Sequence, residues 1–253
     1  MIDVGDGLCL QAGSRQRPWP RGSIQIDCGS QQGGRHAASR WQTAGRPWLS
    51  HAPSAICVTH YHTDHYNGLV WAARSPSFPR LRWCNTLLHP GAPAPEARSL
   101  LRAVYALRAL VVGSTGMPMD LDLWRVICRL SGGTSVRRRA LFQGDQVEID
   151  GTVMDVAWPP RQIDGDLRES IADALVRFHA LLDEPDRETL RELYDRTEGI
   201  EVEGDEIDSD LEELYEAPPE VPEDEPGSDD FELDPELSAV NGALRRAANH
   251  LSL

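Results

Sequence analysis

Three histidines and one aspartate lie within six positions of one another, in the stretch His60-Tyr61-His62-Thr63-Asp64-His65. Imidazole nitrogens and carboxylate oxygens are ligands that Zn²⁺ prefers, and Mn²⁺ or Fe²⁺ accepts the same donors. The spacing places His60 and His62 where they suit one ion, and Asp64 and His65 where they suit a second ion beside it. We therefore predict a metal site for one or two ions, with His60, His62, Asp64 and His65 as its ligands.

The elements around this cluster must hold its side chains together. Residues 56–59 form a short apolar run of β-favouring residues, which predicts a strand. Because alternate side chains of a strand point to opposite faces, His60 and His62 are expected to project to the same side. Gly68 offers a position without Cβ restrictions after an expected turn. Residues 69–74 then predict a short helix, stopped by Pro76.

The stretch 59–68, with the sequence THYHTDHYNG, resembles the T-H-x-H-x-D-H-x-x-G signature of the metallo-β-lactamase fold superfamily. Strands predicted at residues 2–12 and 23–29, and a hairpin predicted at residues 141–160, are similar to the branch that contains the soluble domain of bacterial competence (DNA-uptake) proteins. The resemblance implies an α/β fold, namely the αββα sandwich of the superfamily. It also implies that Asp27 lies beneath the metal site and supports its loop. A strand-end aspartate that caps a turn is the alternative for that residue.

Charge divides the chain into two unlike parts. Residues 1–160 contain 17 arginines and 11 acidic residues, a net +6, whereas residues 161–253 contain 8 arginines and 29 acidic residues, a net −21. All the basic residues are arginines, whose guanidinium groups pair well with phosphate or carboxylate. The acidic part is expected to repel a polyanion or to bind a basic partner.

The function implied by the resemblance is metal-dependent hydrolysis through a zinc-bound hydroxide. Asp64 would be the catalytic residue, because it is placed to orient the attacking water or to take its proton. The likeness to DNA-uptake proteins and the basic part favour a phosphodiester or nucleic acid as substrate, with other small-molecule esters, amides and thioesters as alternatives. A different class of function is a degenerate, non-catalytic member that acts through its acidic segment as an interaction module.

Four domain segments are expected. Residues 1–160 would form the N-terminal half of the sandwich. Residues 161–200 predict a helical insertion with helices starting at Asp166 and near Pro185, and residues 201–236 predict a disordered acidic segment. Residues 237–253 would open the second half, because NHLSL at the end resembles its first strand. In the superfamily further ligands follow that strand, so we expect an incomplete sandwich and an incomplete metal site.

Cysteine usage and hydropathy point to a cytoplasmic protein. The cysteines are scattered and form no C-x-x-C pair, which favours buried thiols in a reducing compartment. They are Cys9, Cys28, Cys57, Cys84 and Cys128. No apolar run approaches the roughly 20 residues of a membrane span. The first residues also lack the basic and apolar regions of a secretory signal.

Overall fold

A five-stranded sheet, parallel except at one edge, forms the centre of the computed structural model. The structure describes residues 1–12, 23–44, 53–93, 95–111, 123–133, 136–149, 152–197 and 234–251. The sheet strands are β1 (Cys9–Ala12), β2 (Ile24–Cys28), β3 (Ala55–Cys57), β4 (Thr86–Pro90) and β5 (Arg137–Leu141), in that spatial order. Strand β1 is antiparallel to β2, and the other neighbours are parallel. The predicted α/β class is therefore confirmed.

Seven helices and one hairpin complete the described part of the chain. The helices are α1 (Gly34–Ala44), α2 (Thr63–Arg74), α3 (Pro95–Val111), α4 (Leu123–Ser131), α5 (Gly165–Leu182), α6 (Glu188–Arg196) and α7 (Pro235–Leu251). The hairpin joins β6 (Gln146–Ile149) to β7 (Thr152–Asp155), within the range predicted for it. Among the described residues, no helix combines the length and hydropathy that crossing a bilayer requires.

Apolar side chains form three clusters. Helices α1, α2 and α4 cover one face of the sheet with fully buried residues such as Trp41, Leu69 and Ile127. The opposite face carries Ile24 and Leu88, against which the hairpin packs. A third cluster joins α3, α5, α6 and α7, and we call these four helices the helical cluster. The last three of these helices therefore pack on α3 within one apolar core.

The two helices predicted between residues 161 and 200 are confirmed as α5 and α6, with small shifts of their starts. The α5 helix is capped by Asp164 rather than Asp166, because the Asp164 carboxylate accepts a hydrogen bond from the Leu167 N–H at 2.7 Å. The predicted helix at 69–74 is longer than expected, since α2 already begins at Thr63. Asp64 and His65 therefore lie in a helical turn rather than in a loop.

The strand predicted near Asn249 is wrong. Residues 235–251 form α7, in which Leu237, Val240, Leu244 and Ala247 are buried at helical spacing. Asp234 caps this helix by accepting from the Leu237 N–H at 2.9 Å. Residues 234–236 belong to the acidic segment predicted as disordered over 201–236, and in the structure they form the cap and the start of α7. Residues 201–233 lie outside the described residues, as do residues 252 and 253.

Parallel strand order places the candidate residues together. Strands β2, β3 and β4 run in the same direction, so their carboxyl ends meet at one edge of the sheet. Asp27 lies at the end of β2, the histidine-rich stretch follows β3, and His89 lies near the end of β4. The fold therefore gathers groups from three strands at a single edge.

Candidate metal centre

Asp27 connects the end of β2 to the histidine-rich stretch. Its side chain is fully buried, and its φ of +49° is a left-handed conformation that aspartate tolerates better than most residues. Asp27 Oδ1 accepts from the Thr59 N–H at 2.7 Å. Its Oδ2 accepts from the Thr59 hydroxyl at 2.5 Å and from His65 Nδ1 at 2.8 Å. The expected contact between Asp27 and this loop is confirmed.

These hydrogen bonds determine which nitrogen of His60 and of His65 is free. The Thr59 hydroxyl gives its single proton to Asp27, so it can only accept from His60 Nδ1, which lies 3.0 Å away. His65 Nδ1 likewise donates to the Asp27 carboxylate. In the neutral form each ring then has its free lone pair on Nε2, and the two ring centroids are 3.7 Å apart. A histidine whose other nitrogen is held by a carboxylate or hydroxyl is the usual arrangement of a metal ligand.

The electrostatics of the loop favour the neutral form of His60. Burial lowers the pKa of His60, and His65 and His62 lower it further, against opposing contributions from Asp27 and Asp64. A metal ligand must be deprotonated, so this direction suits metal binding. The thiol of Cys57 is a poor candidate ligand, because burial and the Asp27 charge raise its pKa to about 12.

The four predicted ligands do not all converge. Among the described residues, Asp27, His60 and His65 form a group whose possible ligand atoms lie within 4.8 Å of one another. The exposed His62 lies beside His60, with ring centroids 4.8 Å apart, and its Nε2 is 3.0 Å from Asn249 Oδ1. Asp64 is partly buried in the first turn of α2, outside this group. Since three donors already occupy the Asp27 carboxylate, we assign Asp27 as the support of the histidines.

The loop after β2 is fastened directly to α2. Asn67 makes two hydrogen bonds with the backbone of Ser30: its Oδ1 accepts from the N–H at 3.1 Å, and its Nδ2 donates to the carbonyl at 2.8 Å. A Cβ atom at Gly29 would lie 2.4 Å from the Asp64 carbonyl carbon and 2.6 Å from the His65 nitrogen. This close approach brings Asp27 under His65. Sequence reasoning did not identify the roles of Gly29 and Asn67.

Tyr61, between the two histidines, faces the protein interior. Its ring packs against the apolar cluster beneath α1, α2 and α4 and also against the helical cluster. It lies nearly perpendicular to the ring of Tyr105, at a centroid distance of 6.4 Å. The Tyr61 hydroxyl lies 3.0 Å from His89 Nδ1, which is also 3.0 Å from the Pro90 carbonyl oxygen. His89 is therefore engaged inside the fold, and the helical cluster abuts the candidate site.

His89 is expected to make the fold sensitive to mild acid. Burial and the charge of Arg138 lower its pKa to about 4. Because this value lies below that of an unfolded histidine, its contribution is present above about pH 6.5 and is lost as the pH falls toward 4. Between pH 7 and pH 5 this one group should lower the free energy of unfolding by about 2 kcal/mol. Urea unfolding at both pH values, for the wild type and His89→Gln, should show this extra loss only in the wild type. Equal losses in the two proteins would contradict it.

The donor set fits a divalent metal ion. Two imidazoles whose Nδ1 atoms are held by Thr59 and Asp27 lie at the edge of the sheet, and the Asp64 carboxylate is in the first turn of α2. Borderline cations such as Zn²⁺, and also Mn²⁺ or Fe²⁺, accept such a set.

No model of a known protein family and no curated protein matches the chain.

Proposed function

We propose that this protein is a metal-dependent hydrolase of the metallo-β-lactamase type. Zn²⁺ is the favoured metal, with Mn²⁺ and Fe²⁺ as alternatives. The ligand atoms proposed for one or two ions are Nε2 of His60 and of His65, together with His62 and the Asp64 carboxylate, of which the last two lie outside the group of Asp27, His60 and His65. The observation that carries the proposal is the pair of facing imidazoles whose Nδ1 protons are held by Thr59 and Asp27.

The residues of the site have separate tasks in this proposal. A bound divalent ion would lower the pKa of a coordinated water and would polarise the electrophile. Asp27 holds the rings of the site through Thr59 and His65, so that little reorganisation is needed when metal and substrate arrive. Asp64 lies in the first turn of α2, next to His65, and is assigned to orient the attacking water or to accept its proton.

A phosphodiester is the proposed substrate class, either a small molecule or a nucleic acid. Support comes from the basic part of the chain, where guanidinium groups supply all the positive charge. Arg137 and Arg139, on strand β5, are exposed. The acidic residues beyond position 160 oppose a long polyanion, which favours the smaller substrates.

Metal analysis combined with a reporter reaction tests the proposal. The wild type should take up zinc and hydrolyse bis(p-nitrophenyl) phosphate, and a chelator should stop the reaction. His60→Ala and His65→Ala should each lower zinc affinity by more than roughly 100-fold, because each removes a ligand that already has its supporting hydrogen bond. His179→Ala is the matched control, since His179 is exposed on α5, outside the site.

Two results would count against the proposal in different ways. A wild-type protein that takes up no zinc, manganese or iron would remove the metal centre altogether. Tight metal binding without turnover of phosphodiester, carboxylic ester or thioester reporters would leave the metal centre and overturn the hydrolase.

A further inference from the structure

A hydrogen bond links the histidine-rich stretch to the last turn of α7. His62 Nε2 lies 3.0 Å from Asn249 Oδ1, although the two residues are 187 positions apart in the chain. Both side chains are exposed. The end of α7 is nevertheless held in place, because Leu244, Ala247 and Ala248 are buried in the helical cluster. The contact thus joins an anchored helix to a residue of the proposed metal centre.

The chemistry of this bond selects one tautomer of His62. A carbonyl oxygen such as Asn249 Oδ1 can only accept, so the Nε2 atom of His62 must carry the proton. In the neutral ring Nδ1 is then the atom with the free lone pair. His60 and His65 have the opposite arrangement, with protonated Nδ1 and free Nε2. His62 would therefore offer Nδ1 to a metal ion, whereas His60 and His65 would offer Nε2.

The helical cluster also holds this stretch from its other side. Tyr61 precedes His62 and packs against the helical cluster, with its ring nearly perpendicular to that of Tyr105 of α3. Two adjacent residues of the stretch are thus positioned by two different helices. The backbone at this point cannot move without disturbing both contacts.

We propose that Asn249 is a positioning residue that holds His62 with Nδ1 presented as its ligand atom, so that the helical cluster is part of the metal centre. The proposal rests on the proposed function for the presence of a metal. It concerns the orientation of one ring, which exists in the metal-free protein as well. Its test therefore has one measurement that needs metal and one that does not.

The measurement without metal is the ¹⁵N chemical shift of His62 in the wild type and in Asn249→Ala, at a pH where the ring is neutral. The wild type should show a protonated Nε2 and an unprotonated Nδ1. Asn249→Ala should show a mixture of the two tautomers, and Asn249→Asp should restore the wild-type pattern because it keeps an acceptor oxygen. Asn241→Ala, on the same helix, is the matched control and should change nothing.

The measurement with metal is zinc affinity. Asn249→Ala should weaken it about 10-fold, the usual cost of losing a group that orients a ligand. Asn249→Asp should bind at least as tightly as the wild type. In a His62→Ala background, Asn249→Ala should have no further effect, because its only route to the metal has been removed. An equal loss in both backgrounds would mean that Asn249 acts elsewhere and would overturn the proposal.

Failure of this inference and failure of the proposed function give different results. If Asn249→Ala leaves both the His62 tautomer and zinc affinity unchanged while His60→Ala loses zinc, the positioning role is overturned and the metal centre stands. If the wild type takes up no metal, the proposed function falls, and with it the ligand role given to Nδ1 of His62.

Discussion

Replacement of Asp27 by asparagine should lower zinc affinity about 100-fold, near the upper end for a group that supports metal ligands. The same change should lower the free energy of unfolding by about 2 kcal/mol, since hydrogen bonds to a buried charged acceptor are lost. Three donors converge on the Asp27 carboxylate, from the Thr59 backbone, the Thr59 hydroxyl and His65. The amide of asparagine has only one acceptor oxygen. Its NH₂ group is itself a donor and would have to face one of the three donors. Asparagine also tolerates the left-handed backbone, so the loss reflects the hydrogen bonds.

Zinc titration and urea unfolding of the same preparations measure the two effects. Asp166→Asn is the matched control, because its carboxylate is exposed in the first turn of α5. The control should leave zinc affinity unchanged. If Asp27→Asn were less stable but bound zinc as the wild type does, Asp27 would support the loop without orienting the ligands, and our assignment of its role would be wrong.

Addition of one methyl group at Gly29 should have the second large effect. The Cβ of Gly29→Ala would lie 2.4 Å from the Asp64 carbonyl carbon and oxygen and 2.6 Å from the His65 nitrogen. These are backbone atoms of the first turn of α2, so no side-chain rotation relieves the clash. We expect the free energy of unfolding to fall by about 3 kcal/mol, the upper part of the range for overpacking. Zinc affinity should fall more than roughly 10-fold, because Asp27 and His65 are pushed apart.

Gly165→Ala is the matched control for this variant. The control position begins α5, and a Cβ atom there would meet no atom within 4 Å. Unfolding and zinc titration of both variants separate the effect of the close approach from the general effect of replacing glycine. A Gly29→Ala protein as stable as the wild type would show that the loop after β2 and α2 do not press on each other in solution.

The sequence revealed the donors of the site better than their arrangement. Three histidines and an aspartate in one short stretch are visible without any structure, and the strand before them follows from its β-favouring residues. The start of α2 was predicted too late, because Gly68 resembles a turn residue. In the structure Gly68 lies inside α2, where a Cβ atom would be 2.7 Å from the Cys28 carbonyl oxygen. This close approach requires a glycine at position 68, and only the tertiary packing reveals it.

At the other end of the chain, the sequence contains a helical pattern of apolar residues that the strand prediction did not take into account. Leu237, Val240 and Leu244 recur at helical spacing and correctly indicate α7. The strand prediction rested on the likeness of residues 249–253 to a strand of the superfamily and did not use this local pattern, and the structure has a helix up to Leu251. The contact between His62 and Asn249 could not be predicted in any case, because no local rule relates residues so far apart in the chain.

Position 27 has two independent structural requirements, one on the backbone conformation and one on the side chain, and aspartate meets both. The left-handed backbone excludes β-branched and most bulky residues and leaves glycine, asparagine and aspartate as easy choices. The three donors around the side chain require a short side chain with an anionic acceptor, and glycine and asparagine do not provide one. Glutamate has the charge, but its side chain is longer and it is less suited to the left-handed backbone conformation. In a library of all twenty amino acids at this codon, selection for zinc retention should therefore return aspartate almost alone.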